Sequence, residues 1–172
     1  MNEHIKTYCR LISELDRDQL WRVQKLTKEV RALDGSFYFL GTAESIPTCN
    51  LHAATWSQTL KVKAHSLTDP TLITSLANEF GYDSCYEMMV SRYLRKGDLL
   101  FSINPTGKTK SIVRATAAAK EKGAFVVTLS GMDEHNPLQL LGTENIHIPS
   151  NNISHLQMIH GFILQTILDF TT

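Results

Sequence analysis

The sequence has no excess of charge of either sign and no long apolar run, and each absence excludes a class of protein. Lysine plus arginine number 17 and aspartate plus glutamate number 17, so the formal net charge is zero. General electrostatic binders of nucleic acid usually carry a basic excess, so we expect no direct nucleic-acid partner. No stretch approaches the roughly 20 apolar residues that span a bilayer, and the first residues lack the basic-then-apolar layout of a signal peptide. We therefore expect a cytoplasmic protein without a membrane partner.

Cysteine is also scarce. The three cysteines, Cys9, Cys49 and Cys85, lie far apart and form no CxxC pair. A scattered, odd set argues against a disulfide framework and against a cysteine zinc site. We expect free thiols in a reducing compartment, with no metal and no cofactor.

The apolar content suits one folded domain, and there are no repeats or Pro/Ser-rich linkers. The composition is 42% hydrophobic and 20% charged, which is enough for a core and too little charge for a disordered chain. We expect a single domain over residues 1–172, with an N-terminal helical arm over 1–34 and an α/β core over 35–172. The arm is predicted as one helix over 3–33, because its apolar residues recur at three- and four-residue spacing.

Strands and helices alternate through the core. Apolar runs predict strands over 36–41, 98–104, 124–130 and 145–149, and a weaker strand is predicted over 59–64, where apolar and polar residues alternate. The intervening patterns predict helices over 70–80, 84–94, 109–122 and 153–170. This alternation predicts a parallel sheet with helices on both faces. Ligands of such sheets bind at the carboxyl ends of the strands, which directs attention to the loops 41–45 and 104–109.

The loop 104–109 has the residues of an anion site. It joins a strand to a helix N-terminus, where free backbone N–H groups and the positive end of the helix dipole favour an anion. The hydroxyls of Thr106 and Thr109, the flexible Gly107 and the cation of Lys108 or Lys110 all suit a phosphate. The Walker pattern is not matched, so nucleoside triphosphate chemistry is not favoured. Plain capping by Thr109 stays open as the alternative.

The loop 41–45 has features that favour a bound phosphate and one that opposes it. Gly41 and Thr42 allow close approach of a ligand, and Ser45 can donate a hydrogen bond to it. Glu44 would repel a phosphate, but at a helix start it also serves as a partner of the helix dipole.

The second half of the chain resembles a known family. The segment ANEFGYDSCYEMMVSRYLRKGDLLFSINPTGKTKSIVRATAAAKEKGAFVVTLSG, followed by NIHIPS and HLQMIH, is similar to the sugar isomerase (SIS) domain and, within it, to the phosphoheptose isomerase branch. The resemblance implies a three-layer α/β sandwich around a five-stranded parallel sheet of flavodoxin-like type. It also implies aldose–ketose isomerisation of sedoheptulose 7-phosphate by proton transfer, usually in a homotetramer. A homodimer is the alternative assembly.

The resemblance assigns a sugar-phosphate site but leaves its catalytic pair unfilled. The family's glutamate base falls on Thr55, or on Trp56 if the register slips by one, and its histidine falls on Gln165. None of these side chains transfers a proton at neutral pH. The remaining candidates for catalysis are His160, His52 and Glu79, each of which also has an ordinary structural interpretation. The implied phosphate- and sugar-binding residues are Gly41, Thr42, Ser45, Asn104, Thr106, Gly107, Lys108, Thr109 and Gln157.

Two functions are therefore carried forward. The first is a phosphosugar-binding protein of the phosphoheptose isomerase type, whose catalytic activity is left open. The second is a non-catalytic oligomer that acts as a sugar-phosphate sensor or as an adaptor for a protein partner. The DnaA initiator-associating protein is the family's example of an adaptor, in which an oligomer presents repeated partner sites.

Overall fold

The computed structural model covers residues 1–172 and begins with two helices rather than one. Helix α1 is Asn2–Ser13 and helix α2 is Arg17–Ala32. The carboxylate of Asp16 accepts a hydrogen bond from the Gln19 amide at 3.1 Å, which caps α2 at its start. The prediction of one continuous helix over 3–33 was wrong because this cap stabilises a new helix start between two amphipathic segments.

The remaining chain alternates between strand and helix. The strands are β1 (Phe37–Gly41), β2 (Ala64–Ser66), β3 (Leu99–Ile103), β4 (Phe125–Gly131) and β5 (Glu144–Ile148). The helices are α3 (Ile46–Leu60), α4 (Pro70–Phe80), α5 (Tyr82–Tyr93), α6 (Lys110–Glu121) and α7 (Ile153–Asp169), with single 3-10 turns at Ala43–Ser45 and Pro137–Leu140. All strand pairs are parallel, in the order β2-β1-β3-β4-β5. The expected five-stranded parallel sheet is confirmed.

One strand was misplaced. The segment 59–64 was predicted as a strand, but α3 continues to Leu60 and ends at Lys61, whose φ of 56° is left-handed. Strand β2 begins only at Ala64. The apparent alternation arises because the buried Leu60 belongs to the helix while the half-buried Val62 lies in the connection.

The sheet separates two apolar layers. Alternate residues of the central strands point to opposite faces, so that Phe39 and Phe101 pack with α1, α2, α3 and α7. Leu40 and Leu100 pack instead with α4, α5 and α6. The result is the expected three-layer sandwich. No helix has the length and apolar character required to cross a membrane.

The register of the sheet gathers three loops at one edge. Gly41, the last residue of β1, lies opposite Ile103 of β3, and Ile103 lies opposite Leu129 of β4. The loops that follow these three strands therefore leave the sheet side by side. This edge holds most of the residues predicted to bind a ligand.

Candidate functional site

The turn after β3 is organised by the side chain of Asn104, which is 5% exposed. Its amide nitrogen donates to the Thr109 hydroxyl at 2.9 Å, and its carbonyl oxygen accepts from the Thr106 hydroxyl at 2.9 Å. The Lys108 amide donates to the Thr106 hydroxyl at 3.2 Å. These bonds hold the turn closed around Asn104, with Gly107 at a positive φ of 63°.

The start of α6 leaves donors for a ligand. The amides of Lys110 and Ser111, the first residues of the helix, donate to no acceptor in the protein. The Ser111 hydroxyl is buried and has no hydrogen-bond partner. Thr109 occupies the capping position, yet its hydroxyl accepts from Asn104 and caps no helix amide. Simple capping therefore does not account for this turn, and the helix start keeps free donors of the kind that can bind an anion.

The loop after β4 packs against the same turn. The Lys108 ammonium lies 2.8 Å from the Asp133 carboxylate. The hydrogen bond from Lys108, followed by one from the His135 amide, lowers the pKa of the Asp133 carboxyl. On the other side, a Cβ placed on Gly107 would overlap the side-chain amide of Asn136. Glycine is therefore required at 107 by both its φ and this close contact.

The loop after β1 is shaped by packing. A Cβ on Gly41 would lie 2.7 Å from the Cβ of Ser45 and 3.0 Å from the Cys49 sulfur. Gly41 thus lets α3 approach the strand. Ser45 is 2% exposed, Thr42 is half-buried, and Glu44 points outward without an ion pair.

The two histidine candidates lie inside the protein. His52 is 2% exposed on α3 and His160 is 1% exposed on α7. Burial lowers the pKa of each imidazole to about 4. The Nε2 atom of His160 lies 3.3 Å from the Ser130 carbonyl oxygen, whereas the Nδ1 atoms of both rings have no partner. Such rings are neutral at pH 7 and pack the interface between α3, α7 and the sheet.

The other candidates are spread around the molecule. Glu79 is exposed on the last turn of α4 and forms no hydrogen bond or ion pair with another candidate. Gln157 is half-buried near the start of α7, and its amide nitrogen is buried without a partner. Thr55 donates to the Leu51 carbonyl within α3, and the exposed Gln165 donates to Asp169 within α7.

Sequence reasoning missed three residues of this edge. Asp133 and Asn136 both contact the turn after β3, and the buried Ser111 hydroxyl lies at the start of α6. The rule that ligands bind at carboxyl ends of parallel strands also applies to β4. Its loop would have been included had the rule been applied to every central strand.

Sequence comparison matches the chain to one domain family and to phosphoheptose isomerases. The SIS domain model matches residues 71–168. The chain is 32% identical to the phosphoheptose isomerase of Coxiella burnetii (strain Dugway 5J108-111) over 104 residues, which are 59% of this chain and 52% of that protein. It is 25% identical to the phosphoheptose isomerase of Aliarcobacter butzleri (strain RM4018) over 170 residues, which are 95% of this chain and 89% of that protein. The aligned part therefore spans about half the length of the Coxiella relative.

The fold is shared with a solved phosphoheptose isomerase. The structure of the Neisseria gonorrhoeae enzyme superposes with a TM-score of 0.88, covering 98% of this chain and 94% of that one. The two sequences are 22% identical over this match. The expected α/β sandwich thus agrees with an experimentally determined fold.

Proposed function

The chain belongs to the SIS-domain family, and on that premise we propose that it binds a phosphorylated sugar at the carboxyl edge of its sheet. The observation that carries this proposal is the set of unused donors at the start of α6. The amides of Lys110 and Ser111 and the buried Ser111 hydroxyl have no partners within the protein. A phosphate at this helix start would accept hydrogen bonds from them and gain from the helix dipole.

The same edge supplies groups for the sugar. The unpaired amide nitrogen of Gln157 and the hydroxyls of Thr42 and Ser45 are the proposed contacts, with Thr106 and Thr109 on the phosphate side. The resemblance to phosphoheptose isomerases supports a seven-carbon ketose phosphate as the first ligand to test. The adaptor alternative receives no comparable support, because the two sequence relatives named above are phosphoheptose isomerases.

In this proposal, the protein catalyses isomerisation of the sugar phosphate slowly or not at all. The positions of the family's acid–base pair hold Thr55 and Gln165, and neither side chain titrates near neutral pH. His52 and His160 are buried with pKa values of about 4, so they do not replace that pair. Loss of a general acid or base typically slows proton transfer by about 100- to 10,000-fold. We propose binding as the principal function and expect exchange of carbon-bound hydrogen to be slowed by at least this factor.

The assembly and location complete the proposal. We propose a homo-oligomer, either tetramer or dimer, in the cytoplasm. An apolar groove of about 620 Å³ between α1, α2 and α7 supports the assembly, because the exposed aromatic rings of Trp21, Phe162 and Phe170 line it. Light scattering after size-exclusion chromatography measures the oligomeric state, and a monomer at micromolar concentration would contradict this part.

A thermal-shift titration with sedoheptulose 7-phosphate tests the binding. At a ligand concentration of 100 times the dissociation constant, binding adds about 2.7 kcal/mol to the free energy of unfolding. Sedoheptulose without phosphate is the ligand control and should produce no shift. The variant Lys108→Met should weaken binding, whereas Lys120→Met, at the exposed far end of the same helix, should not. Absence of a shift with millimolar sedoheptulose 7-phosphate and other sugar phosphates would overturn the proposed function.

Proton transfer is measured on the same samples. Incubation in deuterium oxide followed by NMR detects exchange of the hydrogens at C1 and C2 of the bound sugar. Exchange at the rate of a phosphoheptose isomerase with both catalytic groups, measured in parallel, would overturn the expectation of slowed catalysis while leaving the binding proposal intact.

A further inference from the structure

The proposed phosphate turn carries a cation that is already engaged. Lys108 has its ammonium 2.8 Å from the Oδ2 atom of Asp133. The neighbouring Lys110 is exposed and forms no ion pair. Of the two lysines of the turn, Lys108 is therefore the one whose ammonium is held by a contact within the protein. An anionic ligand at the turn would compete with a carboxylate for it.

Hydrogen bonds with residues of its own loop hold Asp133 in place. Its Oδ1 atom accepts the His135 amide at 2.9 Å, and its backbone carbonyl accepts the side-chain amide of Asn136 at 2.7 Å. Asn136 is fully buried and also donates to the Ser130 hydroxyl at 3.2 Å. The preceding Met132 adopts a left-handed φ of 57°, so the backbone turns sharply just before Asp133. The carboxylate is therefore built into the loop and is not a freely rotating surface group.

The turn and this loop are also joined through the backbone. The Gly131 amide donates to the Pro105 carbonyl at 2.9 Å, and the Leu138 amide donates to the Gly107 carbonyl at 3.1 Å. These two bonds flank the ion pair on either side. The separation between the Lys108 and Asp133 backbones is therefore set by the fold, and the pair has a defined geometry.

We propose that Asp133 is a built-in competitor for the phosphate of the ligand, occupying Lys108 when the site is empty and thereby lowering the affinity of the site. This inference rests on the proposed function. When a phosphate binds at the start of α6, Lys108 exchanges the carboxylate for the phosphate, and no bond other than hydrogen bonds and ion pairs changes.

The expected change in ligand affinity follows from the solvent exposure of the ion pair between Lys108 and Asp133. The two side chains are 58% and 44% exposed, so their attraction is screened by water. Removing such a pair changes an equilibrium by about 1.5- to 5-fold. We therefore expect Asp133→Asn to bind sedoheptulose 7-phosphate about two- to fivefold more tightly than the wild type.

The test is a double-mutant cycle on the full chain, with the dissociation constant of sedoheptulose 7-phosphate measured by calorimetry at low and high salt. The four proteins are the wild type, Asp133→Asn, Lys108→Met and the double variant. The matched control is Glu134→Gln, which removes the same charge one residue along the loop, where the carboxylate lies 3.6 Å from His135 and contacts no lysine. Inorganic sulfate serves as a second probe, because it is a dianion without a sugar.

The outcomes separate the two proposals. Tighter binding by Asp133→Asn in the Lys108 background, its loss in the Lys108→Met background and no change in Glu134→Gln would support the inference. Equal affinity of Asp133→Asn and the wild type would overturn it while leaving the proposed function standing. Equal tightening by Glu134→Gln would overturn it as well, because the effect would then be general charge. Absence of binding by all proteins would overturn the proposed function itself.

Discussion

Replacing the two buried histidines should change how the stability of the protein depends on pH. The imidazoles of His52 and His160 have pKa values of about 4 in the fold, against an ordinary value of 6.5. Between these values the unfolded chain binds more protons than the folded one. The stability conferred by the neutral rings is therefore fully present above pH 6.5 and is lost as the pH falls toward 4.

The magnitude is large enough to measure. The difference in pKa corresponds to at most about 3 kcal/mol per histidine at pH 4. A domain of this size is stable by about 5–15 kcal/mol, so the two rings together account for much of its loss of stability in acid. The physical cause is desolvation, since neither Nδ1 atom has a partner to compensate a charge.

The assay is urea unfolding at a series of pH values from 4.5 to 7.5. The variants His52→Gln and His160→Gln keep a polar side chain but remove the titration. Each should be less stable than the wild type at pH 7 and lose less stability as the pH falls. His65→Gln, at an exposed histidine, is the matched control and should follow the wild type. If the double variant and the wild type lose equal stability between pH 6.5 and 4.5, the two imidazoles are not the buried neutral groups described above.

Three further predictions concern stability and are measured by thermal or urea unfolding. Phe101→Ala should cost about 3–5 kcal/mol, because the ring is fully buried and stacks on Phe39 with centroids 5.1 Å apart; a loss below about 1 kcal/mol would contradict this packing. Gly107→Ala should destabilise the protein and weaken sugar-phosphate binding, because the φ is positive and the added methyl group meets Asn136; unchanged affinity would exclude a role of the turn. Asp16→Ala should cost about 1 kcal/mol through loss of the α2 cap, and an unchanged melting temperature would refute that assignment.

The sequence alone determined the sheet and its family. The apolar runs that became β1, β3 and β4 are buried on both faces, and a fully buried strand needs continuous apolar residues whatever surrounds it. The loop 104–109 was found from the same logic, because a strand followed by a helix start places free amides at a known edge. The sequence also predicts that Thr55 or Trp56, and Gln165, stand at the positions of the family's catalytic residues, and this prediction needs only residue identities.

Other features depended on the three-dimensional arrangement. Hydrophobic periodicity did not separate the end of α3 from β2, because a buried Leu60 is compatible with both a helix and a strand. The left-handed backbone of Lys61 decides where the helix ends. The sequence left open whether His52 and His160 face a cleft or the core. Their burial depends on how closely α3 and α7 pack against the sheet, which no local pattern reports.

The contacts around the proposed phosphate turn were decided only by the tertiary structure. Lys108 and Asp133 are far apart in sequence, and their ion pair forms because β3 and β4 are neighbouring strands whose following loops meet at the same edge. The same register places Asn136 against Gly107. Local sequence specifies which segments become strands and helices through burial and backbone preference. Which loops meet at the sheet edge follows from strand order, and that order results from the packing of the whole core.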